Sequence, residues 1–168
     1  MQLGTSLYSF TNEWLTRQYD LPGLLNEVAA RGMGPNFEVI GFQNLKEFPD
    51  VSDEFAERFK AMVAETGLNP VSLAINSDRF LRPGQQPIDD ATLVEYHARQ
   101  LRSAAKMGFS LVRFQFALPA HLLPQVAPIA EDLGLRMGVE VHAPMWSGHP
   151  AVIEYAEMYD RIGSPVLG

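Results

Sequence analysis

Marked as apolar and polar positions, the chain repeats one unit: a short run rich in β-branched and aromatic residues, a turn, then a stretch with apolar residues three and four apart. The unit recurs about every 25 to 40 residues. Strand-like runs lie at 3–8, 36–41, 71–76, 111–116 and 136–142, and a last one opens at Ser164. Most are apolar on both faces, which predicts parallel strands covered by helices. The best-marked helix follows Ser52 and Asp53: within EFAERFKAMVAETG, Phe55, Phe59, Met62 and Val63 form one stripe, and Gly67 is placed to end it. Asp89 and Asp90 open a longer helix to Lys106, with Leu93, Tyr96, Leu101 and Ala104 or Ala105 inward and Gly108 as its stop. Helices are also predicted at 21–31, 121–132 and 151–161, the middle one made irregular by Pro124 and Pro128. The charged runs at 53–60 and 95–106 read as solvated helix faces, and His97 as a solvated or interface residue.

Alternation of this kind leaves an open doubly wound sheet or a closed barrel. No glycine-rich phosphate loop follows the first strand: LGTSLYSFTNE, at 3–13, lacks the glycine spacing of dinucleotide and phosphate loops, which weakens the open-sheet reading. Polar or ionisable residues close nearly every strand: Tyr8 and Ser9, Gln43, Asn76, Gln115, Glu140 and His142. In a barrel those positions converge on one mouth, where active sites are built. The expected fold class is therefore α/β, a (β/α)₈ TIM barrel that is incomplete: one partial domain over 1–168, with five βα units and the start of a sixth strand. A complete barrel needs eight units and about 250 residues. Unpaired edges on its first and sixth strands would favour association, with itself or with a partner.

Composition narrows the chemistry. With 46% hydrophobic and 20% charged positions the chain is ordinary globular material, and its formal net charge of −7 argues against nucleic acid as a partner. The absence of cysteine removes disulfides, thiolate metal sites and cysteine nucleophiles. No apolar stretch of signal or membrane-spanning length opens the chain, so no membrane partner is expected and the cytoplasm is the expected compartment. Glu140 and His142 stand two apart on a predicted strand and so share a face. A hard cation held by carboxylates can stabilise the charge that develops when a neutral imidazole removes a proton next to a carbonyl. Glu38, among apolar strand neighbours, is either a luminal polar group or a salt-bridged structural carboxylate, and Arg113 is a candidate partner for it or for Glu140.

The runs GTSLYSF at 4–10, FEVIGFQ at 37–43, GFSLVRFQF at 108–116 and GVEVHAP at 138–144 resemble the first six strands of xylose-isomerase-like sugar isomerase and epimerase barrels. Within that superfamily, TSLYSFTNE, GFQNLKEFPDVSDEFAERF, GVEVHAP and the closing YDRIGSPVLG are similar to the larger, catalytic alpha subunit of bacterial C-glycoside deglycosidases. The resemblance implies a divalent metal at the mouth, manganese first, with magnesium or cobalt as alternatives. Glu140 matches the first ligand, and the others are expected beyond Gly168, so these residues alone are expected to be inactive. His142 matches the acid/base histidine. The implied reaction is carbon–carbon lysis of a 3-oxo-C-glycoside, with a smaller beta subunit as partner. The alternatives are a sugar (phosphate) isomerase or epimerase with the same metal and enolate chemistry, and a non-catalytic barrel fragment. Tyr8, Glu38, Asn76, Gln115, Trp146 and His149 are then candidate substrate contacts. Each has a plainer reading: the amides of Asn76 and Gln115 as loop caps, Trp146 as a cover for the rim. His121, at a helix start, is the weaker candidate histidine.

Overall fold

The computed structural model describes residues 3–79, 86–115 and 118–168, with the backbone alone of Gln115. The chain runs β1 (Gly4–Ser6), a 3₁₀ turn (Leu7–Phe10), α1 (Thr11–Leu15), α2 (Leu21–Ala30), β2 (Asn36–Ile40), α3 (Gly41–Asn44), α4 (Asp53–Thr66) and β3 (Asn69–Ala74). It continues with α5 (Asp90–Met107), β4 (Leu111–Gln115), a second 3₁₀ turn (Ala120–Leu122), α6 (Leu123–Asp132), β5 (Arg136–Glu140) and α7 (Pro150–Ile162). The five strands form one sheet in chain order, and every pairing is parallel. The run opening at Ser164 reaches β5 through a parallel bridge between Met137 and Leu167.

Helices α2, α4, α5 and α6 pack on one another in that order as a single layer. Between them and the sheet lies the core, where Phe37 meets Phe59 at 6.3 Å and Phe59 meets Phe109 at 5.5 Å between ring centroids. Strand residues alternate across the sheet. Phe37, Val39, Leu73, Val112, Phe114 and Met137 are buried in the core. Ser6, Glu38, Arg113 and Glu140, one position out of phase, line a cavity on the other face.

Helix ends follow the local chemistry. Ser52 Oγ accepts from Phe55 N–H at 3.1 Å and starts α4, and Gly67, at φ 67°, ends it with its N–H on the Val63 carbonyl. Ser52→Ala should lower stability by about 1 kcal/mol, the ordinary worth of an N-cap hydroxyl. An unchanged urea midpoint would count against that cap. Asp89 and Gly108 bound α5 in the same way. In α6, Pro124 sits in the first turn, where its missing N–H has no partner, and Pro128 sits inside the helix on its exposed side.

Three expectations need correction. The first strand stops at Ser6 and not at residue 8, because Ser6 Oγ caps the following 3₁₀ turn by accepting from Tyr8 N–H. The fifth stops at Glu140, so His142 lies beyond the pleat. His97, expected in solvent or an interface, is fully buried. It stands four residues from Leu93 and four from Leu101, on the inward stripe of α5. The end of the fourth predicted run, Phe116, lies outside the described residues. No helix among the described residues is long and apolar enough to cross a membrane.

Candidate active site

The carboxyl ends of the strands surround a cavity of about 430 Å³ lined by Ser6, Tyr8, Ser9, Glu38, Phe42, Arg113, Glu140 and His142, among others. Register builds it. Ser6 pairs with Glu38 across β1 and β2, Glu38 with Ser72 across β2 and β3, and Ala74 with Arg113 across β3 and β4. Across β4 and β5, Gln115 pairs with Glu140.

Glu38 takes both offered roles, luminal and salt-bridged. Its Oε1 accepts from Ser6 Oγ at 2.7 Å and Arg113 Nη2 at 3.0 Å, and its Oε2 from Arg113 Nε at 2.7 Å and Ser72 Oγ at 3.2 Å. Arg113 Nη1 donates to Glu140 Oε2, so one guanidinium joins two carboxylates. With side chains only 17% exposed for Glu38 and 26% for Arg113, these are not solvent-screened surface pairs. Burial disfavours the Arg113 charge. The hydrogen bond and charge of Glu38 and the charge of Glu140 outweigh that and hold the guanidinium above its ordinary pKa.

His142 reaches the same cavity from the segment after β5, with Nδ1 at 2.8 Å from the Ala143 carbonyl oxygen. A carbonyl only accepts, so Nδ1 carries the hydrogen, and in the neutral ring Nε2 is the acceptor. Glu140 and His142, two residues apart, thus line one cavity, although the strand itself ends at Glu140.

The other candidates fall into three places. Tyr8 lines the cavity and is 64% exposed at its mouth. Asn76 is engaged in its own loop: Oδ1 accepts from Asp78 N–H at 3.0 Å, while its backbone exchanges bonds with Gln100 at 2.7 and 2.8 Å. Trp146, 62% exposed, meets His149 edge-on at 5.4 Å, and His149 Nδ1 accepts from Ala151 N–H to cap α7; neither lines the cavity. The side chain of Gln115 lies outside the described residues. His121 pairs with Asp90 at the exposed start of α5. Sequence reading missed Ser6 and Ser72, whose only signal is that their parity matches Glu38.

No family model matches the chain. Among characterised proteins it is 42% identical to the C-glycoside deglycosidase alpha subunit of Arthrobacter globiformis over 166 residues, 98% of this chain and 45% of that protein. It is 36% identical over 167 residues to the 3'-dehydrocarminate deglycosidase alpha subunit of a Microbacterium species, covering 99% of this chain and 48% of that one. The backbone superposes on D-psicose 3-epimerase with D-fructose at a TM-score of 0.71 and 16% identity, covering 99% of this chain and 62% of that one. It superposes on the zinc-bound IolI protein at 0.63 and 16% identity, covering 100% and 61%. The chain is a relative of C-glycoside deglycosidase alpha subunits, folded as a partial xylose-isomerase-like TIM barrel. It spans about half the length of those subunits.

Metal binding can be tested against the side chains present. Among the described residues, no three His, Cys, Asp or Glu groups converge. Glu38 already accepts four hydrogen bonds, the full capacity of a carboxylate. Glu140 remains as a hard oxygen donor at the mouth, suited to one position in the shell of a hard divalent cation.

Proposed function

We propose that this chain supplies the base and one metal ligand of a C-glycoside deglycosidase, a carbon–carbon lyase that works with a smaller partner subunit on 3-oxo-C-glycosides. The observation that carries the reading is the convergence of Glu140 and His142 on one cavity, in a chain related throughout to deglycosidase alpha subunits. His142 Nε2 takes the proton from sugar C2, beside the 3-oxo group. The electron pair left behind forms the C1–C2 double bond as the bond from C1 to the aglycone carbon breaks. That carbon keeps the bond's electrons and takes up a proton. A divalent cation held in part by Glu140, manganese by preference, would stabilise the negative charge that develops on the carbonyl oxygen. Tyr8 stands at the mouth to contact substrate.

The test is to incubate the full-length protein and its partner subunit with a 3-oxo-C-glycoside and, separately, with free ketoses. Release of the aglycone is the expected result. Turnover of ketoses alone would replace this reading with a sugar isomerase or epimerase. Turnover of neither would leave a non-catalytic barrel.

A further inference from the structure

One residue from each strand joins a single hydrogen-bonded line across the sheet: Ser6, Glu38, Ser72, Arg113 and Glu140. At its centre, Arg113 uses the Nε–Nη2 edge of its guanidinium on Glu38. That bidentate contact fixes the plane of a rigid fork, and the fork then directs Nη1 to Glu140 Oε2. Glu38 is fixed in turn by two hydroxyls on neighbouring strands. Its four hydrogen bonds leave it no capacity for substrate or metal, so a catalytic role does not explain why a carboxylate stands there. Anchoring Arg113 does.

We propose that Arg113 is a positioning residue: anchored by Glu38, it sets the orientation in which Glu140 presents its carboxylate to a cation. The inference rests on the reading of Glu140 as a metal ligand. A hydrogen bond to a ligand carboxylate fixes its direction and removes the need to order it when the metal arrives. A lysine cannot do this, since its ammonium has no planar fork with which to hold two carboxylates at once.

The experiment titrates manganese ion alone into the full-length protein by calorimetry and follows thermal unfolding in parallel. Four variants are compared: Glu140→Gln, Glu38→Gln, Arg113→Lys, and the double variant Glu38→Gln with Arg113→Gln. The double variant removes the buried Glu38 charge together with Arg113 and leaves Glu140, 28% exposed, without that partner, so its melting temperature need only stay well above the temperature of the titration. Its manganese affinity should nevertheless fall about ten- to a hundredfold, the usual effect of losing such a support. Glu38→Gln should weaken binding in the same direction by releasing the anchor, and Arg113→Lys should not restore it. Parental affinity in the double variant, or in both Glu38→Gln and Arg113→Lys, would overturn the proposal and leave Arg113 a structural ion-pair residue. Parental affinity in Glu140→Gln would instead remove the metal-ligand reading itself, whatever the other variants do.

Discussion

If His142 is the base of the proposed reaction, His142→Ala in the full-length protein should reduce turnover by about 10² to 10⁴ while metal content stays at the parental level. The size follows from the role, since a positioned acid/base contributes that much and binding groups elsewhere in the cavity are untouched. The separation from metal content follows from the proposed role as base, and metal content is the readout that tests it, since the ring geometry alone suits a base and a metal ligand alike. His142 Nδ1 is held at the Ala143 carbonyl, and Nε2 is the acceptor in the neutral ring. Solvent deuterium sharpens the test, because a base that removes a carbon-bound proton can return a deuteron from water before product leaves. The parent should exchange at sugar C2 and the variant should not. Loss of metal in step with activity would make His142 a ligand or a support for one. Continued exchange would place the base elsewhere.

Acidification should destabilise the fold in a window set by His97. The ring is fully buried, and neither ring nitrogen has a hydrogen-bond partner. Burial pushes its pKa from 6.5 down to about 4. The direction is fixed by which state binds the proton: the unfolded chain protonates His97 first, so stability is complete above pH 6.5 and falls as pH drops toward 4. Taken over that whole interval, the loss is about 3 kcal/mol, roughly a hundredfold in the folding constant. Most of it should appear before ordinary carboxylates titrate. His97→Leu, of similar bulk and without ring nitrogens, should flatten the dependence between pH 7 and about 5. Parallel pH profiles for parent and variant would show that the acid sensitivity lies in another group.

Much of the architecture was legible because it is set by neighbours along the chain. The three- and four-residue spacing of Phe55, Phe59, Met62 and Val63, with Ser52 before and Gly67 after, marks α4 at both ends. The expected His97 exposure failed for an instructive reason. Its spacing from Leu93 and Leu101 places it inward, on the buried stripe of α5, polar though it is. The site was legible in part: Glu38, Glu140, His142 and Tyr8 meet at one cavity, while Asn76, Trp146 and His149 do not line it.

By itself the sequence determined the alternating elements, their caps and the face on which each strand residue lies, since these depend on contacts within a few residues and on a period of two. The tertiary structure decided which polar residues meet. Ser6 is 32 residues from Glu38 and Arg113 is 75, and only the parallel register brings their side chains within hydrogen-bond reach. It also decided that Asn76 is engaged by Asp78 and Gln100, and that His142 reaches the cavity from the segment after β5. The physical reason is that a local pattern specifies a direction from the backbone, whereas a hydrogen bond needs a particular partner within about 3 Å, and register and loop path alone supply that partner.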